Sequence, residues 1–270
     1  MTSTHRAAQP AGDGVRVERP GPHVVQVILD RPQALNALST ELAIQIAGIL
    51  AGIAGEESTR AVVITSSSPR AFCVGADLKE RADFTDAQLL QQRPVIRDLF
   101  AAVRQLPMPS IAGVAGYALG GGCELALSCD VIVADESAVF GLPEVGVGLV
   151  PGGGGTQLLP RRIGLGRACD LLFTGRRIDA GEAFRLGLVD RLVPVGHAEQ
   201  AALDLAEAVA ANSPVAVRAA KRAVHAAFGV ELPTGLEIED AAWQTAATSA
   251  DRREGIAAFV EKRKPRWTTS

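Results

Sequence analysis

The patterned part of the chain opens with two runs of β-branched residues, Val15-Arg16-Val17-Glu18 and Val24-Val25-Gln26-Val27-Ile28-Leu29-Asp30. Between them stands Pro20-Gly21-Pro22, which cannot continue a strand and favours a turn, so the spacing predicts a hairpin. From Ser39, whose hydroxyl can cap a helix start, Leu42, Ile46, Ile49 and Ile53 recur at intervals of three and four, which puts them on one helix face. Ala61-Val62-Val63-Ile64-Thr65 reads as a buried strand, residues 86–106 as a further helix, and 110–114 and 131–134 as two more buried strands. Strands and helices alternate with short crossovers from residue 24 to about 195, the pattern of an α/β core.

After Pro194 the pattern changes. Residues 201–211, 215–228, 236–248 and 252–263 read as helices with no strand between them. Ser213-Pro214 is a cap followed by proline at the first helical position, and Gly229 is the expected end of that helix. These Ala- and Leu-rich faces need covering, by the core, by another copy of the chain, or by both. The expected division is a tail over 1–14, a core over 15–195 and a helical region over 196–270.

Composition narrows the function. With 270 residues, 47% hydrophobic and 21% charged, the chain has ordinary globular composition. Its formal charge of −3 gives no global reason to bind nucleic acid or an anionic membrane, and no apolar run reaches the ~18 residues of a membrane span. Cys73, Cys123, Cys129 and Cys169, with His5, His23, His197 and His225, fall at no zinc spacing, so free thiols in a reducing compartment and no metal site are expected. Residues 1–14 lack the apolar stretch of a secretory signal and hold Arg6 as their one Lys or Arg, too little for a mitochondrial transit peptide, which leaves the cytoplasm as the expected location.

Candidate chemistry sits in three glycine-dense segments: 71–79, 116–124 and 143–155. Any one alone is compatible with a tight turn or close backbone packing. None has the Gly-Lys-Ser/Thr ending of a phosphate loop, and none gives G-x-G-x-x-G at a first strand-to-helix turn. Gly120-Gly121-Gly122 stand between the strand at 110–114 and the apolar stretch Leu125-Ala126-Leu127, where free N–H groups at a helix start can hold an anion or a carbonyl oxygen gaining charge. Glu124 lies in the first turn of that helix, either as a solvated acid stabilised by the helix dipole or as a reactive carboxylate. Glu144, in the otherwise apolar run 139–150, is either a surface residue or a carboxyl in an apolar pocket, where its pKa would rise toward the range useful for proton transfer.

The motifs Gly75-Ala76-Asp77-Leu78-Lys79, Ala118-Leu119-Gly120-Gly121-Gly122-Cys123-Glu124-Leu125-Ala126, Phe140-Gly141-Leu142-Pro143-Glu144 and Pro151-Gly152-Gly153-Gly154-Gly155-Thr156-Gln157 occur in this order. Together they closely resemble the enoyl-CoA hydratase/isomerase (crotonase) family, and the resemblance extends to Asp251-Arg252-Arg253-Glu254-Gly255 and Phe259-Val260-Glu261-Lys262-Arg263. It implies an α/β spiral of ββα units with a C-terminal helical part that joins trimers, often stacked as hexamers. It implies an oxyanion hole from the backbone N–H groups of Ala76 and Gly121 and catalytic carboxylates at Glu124 and Glu144. The CoA arm of the substrate is expected along Ala76, Asp77, Leu78 and Lys79, with Gly121, Gly152, Phe259 and Lys262 as further contacts. Coenzyme A belongs to the substrate, and no separate cofactor is expected.

Both acids together fit a hydratase, because the family's isomerases commonly keep only the one matching Glu144. The expected reaction is reversible syn addition of water to a 2-enoyl-CoA thioester, giving a 3-hydroxyacyl-CoA. Gly75 to Arg81 and Leu158-Leu159-Pro160-Arg161 also resemble the branched-chain, methylglutaconyl-type hydratases, and 3,2-enoyl-CoA isomerisation is the other alternative. Some relatives of the branched-chain type bind RNA, but the best basic stretch here is Arg218-Ala219-Ala220-Lys221-Arg222 on a chain of negative net charge, which argues against that role.

Overall fold

The computed structural model describes residues 14–268. The expected tail therefore lies outside the described residues except for Gly14, whose carbonyl accepts a hydrogen bond from Asp30 N at 2.8 Å.

The hairpin is present as β1 (Val15–Glu18) and β2 (Val24–Leu29), and α1 (Thr40–Ala54) starts at Ser39, whose Oγ accepts from Leu42 N. Next come β3 (Ala61–Ser66), β4 (Ala71–Cys73), α2 (Leu78–Arg81) and α3 (Asp86–Arg104). They are followed by β5 (Ser110–Val114), β6 (Tyr117–Leu119), α4 (Gly121–Ser128), β7 (Val131–Asp135) and β8 (Val139–Gly141). A short 3-10 helix (Glu144–Val147) then leads to α5 (Gly155–Ile163), α6 (Leu165–Thr174), β9 (Ile178–Asp179), α7 (Ala180–Leu186) and β10 (Arg191–Val193).

A long strand, a short strand and helical chain recur in β3/β4/α2–α3, β5/β6/α4 and β7/β8/α5–α6, so each turn of the spiral adds one strand to each of two sheets. The six-stranded sheet runs β1-β2-β3-β5-β7-β10, parallel except for the hairpin. The four-stranded sheet runs β4-β6-β8-β9 and is parallel except at β9.

The long strands read as continuous apolar runs because both their faces are covered. Val25, Val27, Val62 and Ile64 face the main core with Leu42 and Ile46 of α1 and Leu99 and Phe100 of α3. Their alternate neighbours Val24, Ala61 and Val63 face Ala202, Ala206 and Ala210. Those alanines belong to α8 (Ala198–Ala210), followed by α9 (Pro214–Ala226), α10 (Leu232–Ala247) and α11 (Ala250–Val260).

The C-terminal helices all differ from expectation by a few residues at their ends, and two of these boundaries have a physical reason. α9 ends at Ala226, with Ala227 still right-handed, and Gly229 has no positive φ, so it lies beyond the helix rather than ending it. α10 starts at Leu232 because Pro233 occupies its first turn, where a missing N–H is harmless.

Candidate active site

The site forms where the second turn of the spiral lies on the first. After β4 the chain passes through Gly75, at φ +88°, against the start of α4. A Cβ on Gly75 would lie 2.8 Å from Gly121 N and 2.9 Å from Leu119 O, so only glycine permits this approach. Leu38 then fixes the next residue: its N–H donates to Gly75 O at 2.7 Å, and its carbonyl accepts from Asp77 N at 3.0 Å. In such a parallel bridge the N–H of Ala76 points away from Leu38. Among the described residues it donates to no other group, and neither does that of Gly121, which opens α4 ahead of the first intrahelical bond, from Glu124 N to Gly120 O. Two free N–H groups thus lie on neighbouring segments.

Glu124 is 3% exposed, which rules out the solvated reading. Its Oε1 accepts from Gly153 N at 2.7 Å and Gly155 N at 2.8 Å. Burial raises its pKa above the ordinary carboxylate value, and the N–H groups of the glycine segment pull it back down.

Glu144 opens the 3-10 helix, with its Oε1 3.2 Å from where a Cβ of Gly120 would stand. Its Oε2 is buried and has no hydrogen-bond partner among the described residues. Burial pushes this carboxyl up to about 7, and the negative charge of Glu124 adds to the rise, so the two acids are electrostatic neighbours. Glu144 stands between the two readings open for it, half-buried beside exposed Val145 but with one oxygen buried.

The remaining expected contacts divide. Asp77 is 8% exposed and caps α2 by accepting from Lys79 N and Glu80 N. It also pairs with Arg31 at 2.7 Å. Burial raises its pKa, but Arg31 and these N–H groups outweigh that and hold it below the usual value, so its side chain is committed to the fold. Leu78 and Lys79 are exposed at the start of α2. Gly152 O accepts from Arg93 Nη2 at 2.6 Å. Phe259, 85% exposed, and Lys262 lie at the end of α11, which packs on α10, and the chain beyond is tied down where Trp267 Nε1 donates to Ala211 O. Within one chain these two are not brought to the carboxylates.

Sequence reasoning missed the donors that serve Glu124, Gly153 and Gly155, and the residues on which their segment rests, Phe100 and Arg104. The available signal was their spacing: four apart on α3, they share one helix face.

A buried and a half-buried acid near two free main-chain N–H groups form an arrangement that can move protons next to a carbonyl oxygen. The enoyl-CoA hydratase/isomerase family model matches residues 21–270, and the chain belongs to that family. The enoyl-CoA hydratase of Bacillus anthracis superposes with a TM-score of 0.93 at 45% identity, covering 96% of this chain and 100% of that one. The mouse mitochondrial methylglutaconyl-CoA hydratase is 40% identical over 248 residues, 90% of this chain and 79% of the relative. The enoyl-CoA isomerase/hydratase fer4 of Mycosarcoma maydis is 39% identical over 254 residues, 91% and 92% of the two chains.

Proposed function

We propose that the protein is an enoyl-CoA hydratase that adds water across the C2=C3 double bond of a 2-enoyl-CoA thioester. The observation that carries this reading is the unequal acid pair. Glu124 has donors for its negative charge, whereas Glu144 has an oxygen without a donor and is held near pH 7. One proton shared by such a pair resides on Glu144.

In the proposed mechanism the thioester oxygen accepts from Ala76 N and Gly121 N, and the charge drawn onto it makes C3 electrophilic. Water oxygen bonds to C3 as its proton passes to Glu124, and the proton of Glu144 passes to C2. The C2–C3 π bond is consumed, a C–O and a C–H bond form, and the pair ends as it began, with one proton. Dehydration runs the same transfers backward. The CoA arm would lie along Ala76, Leu78 and Lys79 past Gly152, and Phe259 and Lys262 would reach it from a neighbouring subunit.

The exposed Leu232, Leu236 and Trp243 of α10, a helix with no buried residue, support a trimer or hexamer. A stable monomer by light scattering at micromolar concentration contradicts that assembly. The unpaired cysteines support a cytoplasmic location. The names of the mouse and fungal relatives favour a branched acyl group or 3,2-isomerisation as second readings. Purified protein given short, long and branched 2-enoyl-CoA esters, followed by loss of the conjugated thioester absorbance, tests the reaction and ranks the acyl groups. No absorbance change with any ester contradicts the reading.

A further inference from the structure

The glycine segment that feeds Glu124 does not hold its own shape. Gly153 lies flat on Phe100, whose ring stands where a Cβ would go. Four residues on, Arg104 Nη1 donates to Gly153 O at 3.0 Å and to Ser128 Oγ at 3.3 Å. Ser128 Oγ in turn donates to Glu124 O at 2.8 Å. One guanidinium therefore grips both the carbonyl of Gly153, the residue whose N–H serves the Glu124 carboxylate, and the helical turn that carries Glu124. Among the described residues both hydrogen bonds of that carboxylate go to Oε1, so the grip sets which oxygen is occupied and leaves Oε2 for the reactant.

We propose that Arg104 is a positioning residue for Glu124: it aims the Gly153 N–H at Oε1 and keeps this carboxylate ionised while Glu144 is protonated. The proposal rests on the hydratase reading for its catalytic meaning, but its electrostatic content does not depend on it. The charged or titratable groups facing Glu124 are Arg104 from α3, Glu144 from the 3-10 helix and, within α4, the Cys123 thiol, which burial pushes far up and out of the working pH range. Burial disfavours the charge of Arg104, and the Glu124 carboxylate offsets part of that, so each supports the ionised form of the other.

The test is Arg104→Met in the full-length protein, read by the pH dependence of kcat/KM for crotonyl-CoA hydration and by infrared titration of the Glu124 carboxylate, assigned by difference against Glu124→Gln. The acid limb of the profile should move up by about one unit with the basic limb unmoved, narrowing the bell, and kcat should fall about tenfold. The infrared titration should move by the same amount. Arg104→Lys, which restores the charge, should bring both most of the way back. An unmoved limb and an unmoved titration in folded Arg104→Met overturn the proposal, as does a Lys variant displaced as far as the Met variant, which would assign the effect to packing. If Arg104→Met does not fold, Arg104→Gln, neutral but able to hydrogen-bond, decides by the same two readouts. If the wild type hydrates no enoyl-CoA, the functional reading fails, and the infrared titration still decides the role of Arg104.

Discussion

Glu124 and Glu144 approach one small volume from opposite kinds of surroundings. The first rises from the opening turn of a buried helix, and a glycine segment aims two N–H groups at one of its oxygens. The second stands at the tip of a 3-10 helix beside the exposed apolar side chains of Val145, Val147 and Leu149, with a buried oxygen that meets no donor. Both lose water, Glu124 more than the half-buried Glu144, which disfavours a charge on either; the glycine segment offsets this for Glu124, whereas Glu144 has only its own N–H. Main-chain groups far away in sequence thus give identical side chains unequal support for a negative charge. The difference is what acid–base catalysis at neutral pH needs.

The harshest test leaves that contrast intact and removes what it works upon. Gly121→Pro deletes one proposed oxyanion donor at the first position of α4, where proline is tolerated, and should lower kcat for crotonyl-CoA by about 10² to 10³. Gly121→Ala keeps the N–H and brings a Cβ to 3.3 Å from Gly75 Cα and 3.4 Å from Leu38 Cδ1, a tight but adjustable fit, and should lose less. A proline variant with native circular dichroism and a rate within about threefold of wild type removes Gly121 from the oxyanion hole. Glu124→Gln and Glu144→Gln, which abolish the contrast from either side, should each cost about 10² or more in the same assay. Near wild-type turnover in either takes that residue out of the mechanism.

The contrast was half legible in the sequence. The long strands announced themselves because strands covered on both faces are unbroken apolar runs, and α1 because Ser39 precedes a regular apolar face. The second sheet did not: β4, β6 and β8 have three residues each, too few for any period to register. The acids were legible through their motifs, and the apolar run around Glu144 already allowed a raised pKa. Gly153 and Gly155 act through N–H groups, on which a sequence pattern is silent, and they meet Glu124 across 29 and 31 residues of chain. Arg104 was hidden for the same reason, since its acceptor in the glycine segment is a main-chain carbonyl.

A smaller effect sharpens the comparison through pH. Hydration leaves the net protonation of the pair unchanged, so the active form carries one proton in either direction, and kcat/KM for hydration and dehydration should share one bell. Its basic limb should lie near pH 7, where Glu144 loses its proton. In Glu144→Gln the residual rate should no longer fall above that pH. A basic limb that persists in Glu144→Gln assigns it to another group.

The smallest effect is on stability, and its sign follows from the same unsatisfied oxygen. Burial raises the folded-state pKa of Glu144 to about 7 from an ordinary value of 4.5. A group so shifted supports the fold fully below its unfolded pKa, and that support is lost as pH rises from about 4.5 through 7. Glutamine is neutral in both states and loses nothing. The melting temperature of Glu144→Gln relative to wild type should therefore climb between pH 5 and pH 8 and stay level above, whatever constant offset the amide introduces. Allowing for the solvent that reaches this half-buried carboxyl, the climb corresponds to on the order of 1 kcal/mol, or roughly 2 to 4 °C for a chain of this size. Glu124→Gln should show a weaker climb, because donors already offset part of its burial. Equal slopes for the two variants, measured by calorimetry in matched buffers, would mean that the glycine segment does not set the acids apart.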